Sequence, residues 1–537
     1  MSQFKQPRDE AAVYAASEKS ASRPTVDNPV GKWVLAATII GSSMTFIDGT
    51  VVNVALPVMQ AKLNASAVQA QWLVESYALT LSALILVGGA LGDKYGRRRI
   101  FNLGVVVFTL ASLWCGLVSD VNQLIFARAA QGVGAALLVP GSLAIISAAF
   151  DKKNRARAIG TWSGFTAIAA GFGPVLGGWM VDNLSWRWIF YINLPLAVVV
   201  LLISLRHVPE SMDDEATGRL DWLGAALAIV GLGGIVYGLI ESNNLGFQNP
   251  QVYGSLLIGA AALVAFLFVE KRSQNPMMPL GLFKSKTFSG ANLLTLFLYA
   301  ALSGIFFFLP FNLIRVQGYD AAQAGAALVP FVLTMFLLSR VAGGLIERFG
   351  AKLPLVVGPI VTGIGFALFS LAGAESSSYW RDFFPAIMVM SLGMTASVAP
   401  LTTTVMGAVE ERHAGIASGI NNAVSRTAAL LAIAAFGIVM LMTFNYNLER
   451  KMNDFNLPPE ARAQLNEQRY KLANIELSGE VSEDTRQTAK KIVNESFVDG
   501  FRVVSYGAAA LAFLSALSAW LLIEGKDIKK TKSEDKQ

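Results

Sequence analysis

Long apolar runs separated by short polar segments dominate the hydrophobic pattern of this chain. A helix needs about 20 apolar residues to cross the hydrocarbon core of a bilayer. Very short connections, such as the one around Asp120, predict that neighbouring runs form antiparallel helical hairpins. The pattern therefore predicts an all-α polytopic membrane protein with fourteen transmembrane helices. The predicted spans are 33–58, 70–92, 100–119, 122–148, 156–181, 188–206, 221–241, 251–270, 288–313, 323–346, 354–373, 382–408, 414–441 and 499–523.

Composition agrees with this class and excludes others. Hydrophobic residues make up 54% of the 537 residues and charged residues only 15%, whereas about a quarter of a soluble protein is charged. One cysteine, Cys115, and two histidines argue against a disulfide, a metal site or a metal cofactor. The net charge of +6 does not indicate nucleic acid as a partner, because the basic residues lie in short loops between spans.

Basic residues also predict the orientation, since Lys and Arg concentrate on the cytoplasmic side of a membrane. An even number of spans puts both termini on one side. We expect a cell-membrane protein, inner or plasma membrane, with both termini cytoplasmic. In that orientation the short outer loops hold only Lys62, Arg187, Arg315 and Arg381.

An internal repeat divides the chain. GGALGDKYGRRR (88–99) closes the second predicted span, and AGGLIERFGAKL (342–353) closes the tenth with the same order of acid, base, aromatic and glycine. The repeat implies two six-helix bundles with two inserted helices between them, as in transporters that rock two halves around a central site.

The predicted organisation also includes a charged outer segment, 443–497. Pro458 and Pro459 begin a predicted helix in it, and a helical hairpin outside the membrane competes with a solvated loop of no role. The predicted parts are a disordered cytoplasmic tail 1–30, an N-terminal bundle 31–208, two inserted helices with flanking loops 209–287, a C-terminal bundle 288–524 and a cytoplasmic tail 525–537.

The loop after the second span carries the most specific motif. Asp93 is placed to accept hydrogen bonds from a neighbouring helix N-terminus, and Gly96 supplies the turn. The basic residues alone would make a stop-transfer anchor, but the whole string resembles the loop 2–3 signature of the major facilitator superfamily. The motif residues are Gly89, Asp93, Lys94, Gly96, Arg97 and Arg98.

The fourth span contains RAAQGVGAA (128–136). A charge within a span is costly and usually functional, although Arg128 satisfied by carbonyl groups is the structural alternative. Gln131 lies on the same helix face, and Gly132 allows close packing. The string is similar to the fourth-helix motif of the superfamily, which is associated there with proton transfer.

The fifth span contains GFTAIAAGFGPVLGG (164–178). Close helix packing alone would explain glycines and a proline in a span. In this superfamily, however, the pattern resembles the antiporter motif found in exporters. The motif residues are Gly173, Pro174, Gly177 and Gly178.

Two acids lie in the first two spans, Asp48 in TFIDGTVVNVALP and Glu75 in WLVESYALT. With the inserted helix 221–241, these strings resemble the fourteen-helix drug:proton antiporters, the multidrug and quaternary-ammonium exporters. The resemblance covers nearly the whole chain beyond residue 30. It implies that Asp48, Glu75 and Arg128 couple protons to substrate, with a static Asp48 ion pair as the alternative. Acids that some relatives carry in the tenth and thirteenth spans are absent, which argues against divalent-cation export.

Arg426 lies near the middle of the thirteenth span, and no carboxylate partner is evident in the second half of the sequence. Water and carbonyl groups satisfy it in one interpretation. In the other it faces the central cavity and favours anionic or polar substrates. The aromatic candidates for that cavity, which would otherwise face lipid or core, are Trp72, Tyr77, Trp162, Phe165, Phe306 and Phe307.

Together these features predict a proton-coupled antiporter that exports amphipathic, preferentially cationic, drugs by alternating access. Its expected partners are small-molecule substrates, protons and the lipid bilayer, with a periplasmic adaptor protein as a further candidate. Export of an endogenous metabolite and a non-transporting membrane sensor are the alternatives. An enzyme or an ATP-driven pump is not expected, because the sequence lacks a phosphate-binding loop and a nucleophile–base constellation.

Overall fold

The computed structural model describes residues 28–212, 221–273, 276–374, 378–410, 414–455, 457–475, 477 and 481–525. The predicted tails, 1–30 and 525–537, fall almost wholly outside these ranges. We call residues 28–212 the N half, 221–273 the insert and 286–525 the C half. The domain boundaries themselves stay a prediction.

The described residues are helical almost throughout, which confirms the all-α prediction. Within them, thirteen helices are long and apolar enough to cross a membrane, and a bent pair completes a fourteenth span. The N half contains α1 (Pro29–Lys62), α2 (Ala67–Tyr95), α3 (Arg97–Leu117), α4 (Val121–Ala149), α5 (Lys152–Asn183), the short α6 (Trp188–Tyr191) and α7 (Asn193–His207). The insert contains α8 (Trp222–Leu245) and α9 (Pro250–Arg272).

The C half begins with α10 (Lys286–Phe311), followed by α11 (Ala321–Ala326), α12 (Val329–Phe349), α13 (Lys352–Leu368), α14 (Phe384–Gly407), α15 (Ala414–Asp454), α16 (Pro459–Gln468) and α17 (Glu483–Leu522). Two of these helices, α15 and α17, extend beyond the predicted spans, so the predicted outer segment is built largely on their ends. Residues 483–497 of the outer segment are thus continuous with the last span.

Polar residues at the loop ends fix where the helices start. Ser66 and Gln69 form a capping box at the start of α2, in which each side chain accepts from the backbone N–H of the other. Asp120 accepts from two backbone N–H groups at the start of α4. These caps satisfy donors that have no partner inside the helix, and they set the register of the hairpins.

The two halves repeat one loop geometry. Gly96, which follows α2, has a φ of 109°, and Gly350, which follows α12, has a φ of 72°. Both values lie in the left-handed region, where glycine avoids the strain that a Cβ would cause. The equivalence that the sequence repeat implied therefore extends to the backbone of the two loops.

We call the end of the bundle that carries 443–497 the hairpin side, and the opposite end, with Arg97–Arg99, the basic side. On the hairpin side α5 meets α11 closely, because a Cβ on Gly178 would meet the backbone of Ala321. The Asp182 carboxylate accepts from the N–H groups of Ala321 and Ala322 at 3.2 and 2.7 Å. The N half and the C half are thus joined on the hairpin side.

The outer segment adds a further contact there. Gln60 of α1 donates to the Lys471 carbonyl at 3.4 Å and accepts from the Asn474 carboxamide. Arg315, just after α10, donates to the Pro57 carbonyl at 2.8 Å. The segment after α16 therefore lies across the N half as well as above its own half.

The insert contacts both halves. Helix α8 packs against α2 of the N half and α15 of the C half. Trp72 donates to the Glu241 carboxylate at 2.8 Å, which ties α2 to α8. The apolar contact at this three-helix junction consists of Val68, Val236, Ile240, Leu430 and Ala434, with Trp72, Ala78, Leu79 and Leu239 packed against it.

Candidate functional site

Asp48, Arg128 and Gln131 come together in the middle of the N half. Asp48 and Arg128 are each only 1% exposed. The guanidinium of Arg128 donates to one Asp48 oxygen at 2.5 Å, and the Gln131 carboxamide donates to the other at 2.8 Å. Arg128 also donates to Gln131 at 2.7 Å, which closes a triangle of three side chains. Both oxygens of Asp48 are therefore engaged within the protein.

Arg128 also makes contacts outside that triangle. Its Nε donates to the Leu73 carbonyl at 3.2 Å, and its guanidinium lies 4.3 Å from the centre of the Tyr77 ring. Gly132 permits this approach of α4 to α2, because a Cβ there would meet the Tyr77 carbonyl. A buried charge pair whose members make additional hydrogen bonds can persist in an apolar interior, and here the pair is also neutral overall.

Glu75 lies apart from that triangle. Its side chain is fully buried, and neither carboxyl oxygen has a hydrogen-bond partner among the described residues. Residues one turn away show its surroundings: Gln71 donates to the Ile433 carbonyl at 3.4 Å, and Trp72 and Leu79 pack in the three-helix junction. Glu75 thus lies where the N half, the insert and the C half meet.

The loop after α2 is held by an acid that the sequence motif did not reveal. Arg97 pairs with Asp93 at 2.7 Å, whereas Glu210, beyond α7, accepts from the backbone N–H of Arg98 at 3.0 Å and lies 3.6 Å from Arg99. Gly96 provides no side-chain cap for α3, so Glu210 satisfies a donor at that helix start. The only sequence signal for this role was the acidic stretch after the sixth span, of which Glu210 is the first residue.

The glycines of the fifth span lie at helix crossings. Cβ atoms on Gly173 and Gly177 would meet Thr50 and Val51 of α1, and the Pro174 carbonyl lies against Gly325 of α11. The four motif residues predicted from the sequence therefore lie in α5 contacts on and near the hairpin side, where they pack it against both α1 and the C half.

The aromatic candidates are dispersed. Trp72 contacts the insert, and Trp162 donates to Ser42 at 3.1 Å inside the N half. Phe165 is 56% exposed. Phe306 packs edge-on against Phe331, while Phe307 lines a small cavity between the halves on the hairpin side. The structure thus gives these side chains different surroundings rather than one shared wall.

Arg426 on α15 differs from Arg128. Its Nε is enclosed without a hydrogen-bond partner, and no described residue forms an ion pair with it. Its helix α15 packs against α2 of the N half, which carries Tyr77. The described residues contain no group of three potential metal ligands, so the polar chemistry among them consists of charges, amides and hydroxyl groups.

Two helical halves joined on one side, with charged groups enclosed between spans, form an architecture found in secondary transporters. The sequence profile described as "Major Facilitator Superfamily" matches residues 38–433. The chain belongs to the major facilitator superfamily, and it is a multi-pass membrane transporter of small molecules rather than an enzyme.

Individual relatives support this assignment. The chain is 34% identical to the multidrug resistance protein Stp of Mycobacterium tuberculosis (strain CDC 1551 / Oshkosh) over 90% of this chain and 91% of that protein. It is 28% identical to a tetracenomycin C resistance and export protein of Streptomyces glaucescens, over 90% of each.

A solved structure shares the fold. It is a bacterial homologue of the human lysosomal transporter Spinster in an inward-facing, unoccupied conformation, with a TM-score of 0.62, 19% identity and coverage of 91% of this chain and 98% of that one. The fold predicted from the sequence is confirmed at this level.

Proposed function

We propose that this protein is a proton-coupled antiporter that exports amphipathic drugs or toxic compounds across the cell membrane, and that Glu75 is its proton site. Relatives named for multidrug resistance and for tetracenomycin C export support the drug-efflux part. The antiporter-type residues of α5 support the export direction. The buried carboxyl group of Glu75, which has no hydrogen-bond partner among the residues that the structure describes, supports the coupling.

We place the hairpin side outside the cell and both termini in the cytoplasm. The concentration of basic residues on the opposite face supports this orientation, because loops rich in Lys and Arg stay inside. A proton entering from outside down about 100 mV then delivers about 2.3 kcal/mol to each cycle.

Glu75 suits the coupling role because its surroundings distinguish its two protonation states. An ionised carboxylate without a partner in an apolar interior is costly, whereas the neutral acid is tolerated. The proton-loaded form therefore favours the packed junction of α2, α8 and α15. Loss of the proton favours opening of that junction, which would admit water to the charge. Such a group biases two conformations by its own protonation.

Sequence reasoning placed Asp48 first among the proton sites, and that assignment stays a prediction. Its two oxygens are held by Arg128 and Gln131, so a proton would have to displace an ion pair. We therefore infer that Asp48 and Arg128 hold the N half together, which was the alternative role.

The test compares Glu75→Gln with wild-type protein. The amide keeps the shape of the protonated acid, so this variant should fold and bind substrate but lose at least tenfold in efflux driven by a pH gradient. In purified protein, wild-type substrate affinity should depend on pH, and the affinity of the variant should not. Efflux is measured with an amphipathic dye in everted vesicles at equal protein abundance.

Glu241→Gln is the matched control, because Glu241 is also an acid at the α2–α8 contact but is bonded to Trp72. It should retain proton-driven efflux. Full efflux by Glu75→Gln would disprove the proposed proton site and return Asp48 to first place.

Export of an endogenous metabolite by the same mechanism is the second candidate. Cationic drugs were favoured by the resemblance alone, and the relatives leave the charge of the substrate open. Nothing among the described residues favours a non-transporting sensor.

A further inference from the structure

The Arg426 side chain points away from the helix that anchors α15. Asn421 donates to Thr295 and Asn292 of α10 at 2.7 and 3.2 Å, which fixes one face of α15 against the C half. Arg426 is five residues further along, so it is rotated by about 140° from that face. Asn422 lies one turn before Arg426 and within about 40° of it. The pair therefore occupies a different face from the anchoring amide.

This face lies deep in the membrane and keeps some access. Arg426 is about 18 Å along α15 from Ala414, which is near the midplane of a 30 Å hydrocarbon core. Both Arg426 and Asn422 remain partly exposed. Leu430, one turn after Arg426, packs in the cluster that contains Val68 of α2, so the face is directed towards the contact between the two halves, where transporters of this architecture bind substrates.

No acid of the C half is placed to neutralise Arg426. Between residues 288 and 442 every Asp and Glu lies at a predicted span end or in a loop, namely Asp320, Glu347, Glu375, Asp382, Glu410 and Glu411. In the N half, Asp48 is already paired with Arg128. When Glu75 is protonated, the described side chains in the membrane interior of the two halves therefore include Arg426 as a positive charge without an ionic partner.

We propose that Arg426 and Asn422 form an anion subsite, and that the exported compounds are amphipathic organic anions bearing a carboxylate or phenolate group. This inference rests on the proposed transport function and specifies its substrate class. A planar guanidinium binds a carboxylate through two parallel N–H groups, and the Asn422 carboxamide adds a third donor. An uncompensated cation also repels monocationic drugs.

The membrane potential assists such a substrate. With the interior negative, moving one negative charge outward gains about 2.3 kcal/mol per 100 mV. Exchange of a monoanion for one proton moves two charges per cycle, whereas exchange of a monocation for one proton moves none. The charge of the substrate is therefore visible in the dependence of transport on the imposed potential.

The test uses two dyes that share a xanthene ring system, anionic fluorescein and cationic rhodamine 6G. Equilibrium binding is measured with purified protein in nanodiscs of zwitterionic lipid, without a proton gradient. Wild-type protein should bind fluorescein at least tenfold more tightly than rhodamine 6G. Arg426→Gln should lose at least tenfold in affinity for fluorescein, Arg426→Lys should keep most of it, and Arg426→Glu should reverse the preference.

Arg502→Gln is the matched control, because Arg502 is a C-half arginine that pairs with Asp499 at 3.0 Å. It should leave the dye preference unchanged. If Arg426→Gln lost affinity for both dyes equally, or kept the wild-type preference for fluorescein, the proposal would be overturned. Competition by added anionic lipid would also overturn it, since a lipid headgroup would then be the occupant of the subsite.

A potassium gradient with valinomycin extends the test to transport. Fluorescein efflux from proteoliposomes should rise with the imposed potential in wild-type protein. The Glu75→Gln variant should still bind fluorescein without being driven by a pH gradient. Loss of pH-driven transport with intact binding therefore tests the proton site, whereas loss of dye preference with intact pH dependence tests the anion subsite.

Discussion

Arg128 in the N half and Arg426 in the C half are both deeply placed arginines, and they occupy opposite kinds of surroundings. Arg128 donates to Asp48, Gln131 and the Leu73 carbonyl and lies over an aromatic ring. Arg426 has no such partners among the described residues. Their sequences look equally unusual, since both place a charge in an apolar span. The difference shows that burial of a charge alone does not indicate its role, whereas its partners do.

Breaking the buried ion pair of Asp48 and Arg128 should give the largest effect on stability. Arg128→Gln leaves the Asp48 carboxylate buried without its cation, which typically costs about 3–5 kcal/mol. Arg426→Gln removes a charge that has no partner among the described residues and should leave stability unchanged or higher. Thermal unfolding of both variants in the same detergent measures the contrast.

The double variant Asp48→Asn/Arg128→Gln provides the control, because it removes both charges together. It should recover most of the stability lost in Arg128→Gln. An Arg128→Gln protein as stable as wild type would show that the two arginines are energetically equivalent and would remove the basis of the comparison.

Supplying Arg426 with a partner should give an intermediate effect. In Asn422→Asp the new carboxylate precedes Arg426 by four residues, the favourable orientation for a helical ion pair, which contributes only about 0.2–0.5 kcal/mol to stability. The neutralised site should bind fluorescein about tenfold less tightly. Asn422→Ala, which removes the amide without adding a charge, should lose less affinity, and an equal loss in both variants would contradict the charge argument.

An arginine pair near the surface should likewise have only a small effect on stability. The side chain of Asp93 is 40% exposed in its pair with Arg97, and exposed pairs contribute at most about 1 kcal/mol. Asp93→Asn should therefore unfold within about 1 kcal/mol of wild type while transport slows, because the loop helps to hold one conformation. Unchanged efflux rates at equal abundance would reduce Asp93 to an anchor.

Periodicity, loop charge and the repeat predicted the spans and both glycine turns from the sequence. The pairing of Asp48 with Arg128 was also accessible, because depth along the first and fourth spans brings the two residues to a similar level. The lengths of the helices on the hairpin side could not be predicted. Helices α15 and α17 continue there as polar helices in water, where the apolar pattern that marks a span is absent.

The isolation of Glu75 and the role of Glu210 could not be predicted, because each depends on which helices become neighbours. Sequence spacing places Glu75 on one face of α2 but does not reveal that α8 and α15 cover this face. Glu210 acts on the start of a helix more than 100 residues earlier in the chain. Both roles come from tertiary packing, which local patterns do not encode.

The position of α8 makes the two sides of the contact between the halves differ in their exposure to lipid. Two halves of this kind have two seams along which the bilayer could reach the interface between them. Helix α8 covers the seam of α2 and α15, so acyl chains are kept from it. The seam of α5 and α12, where Gly171 meets Val332, has no such cover from the described residues of the insert. We therefore expect a compound dissolved in the bilayer to reach the contact between the two halves along the seam of α5 and α12.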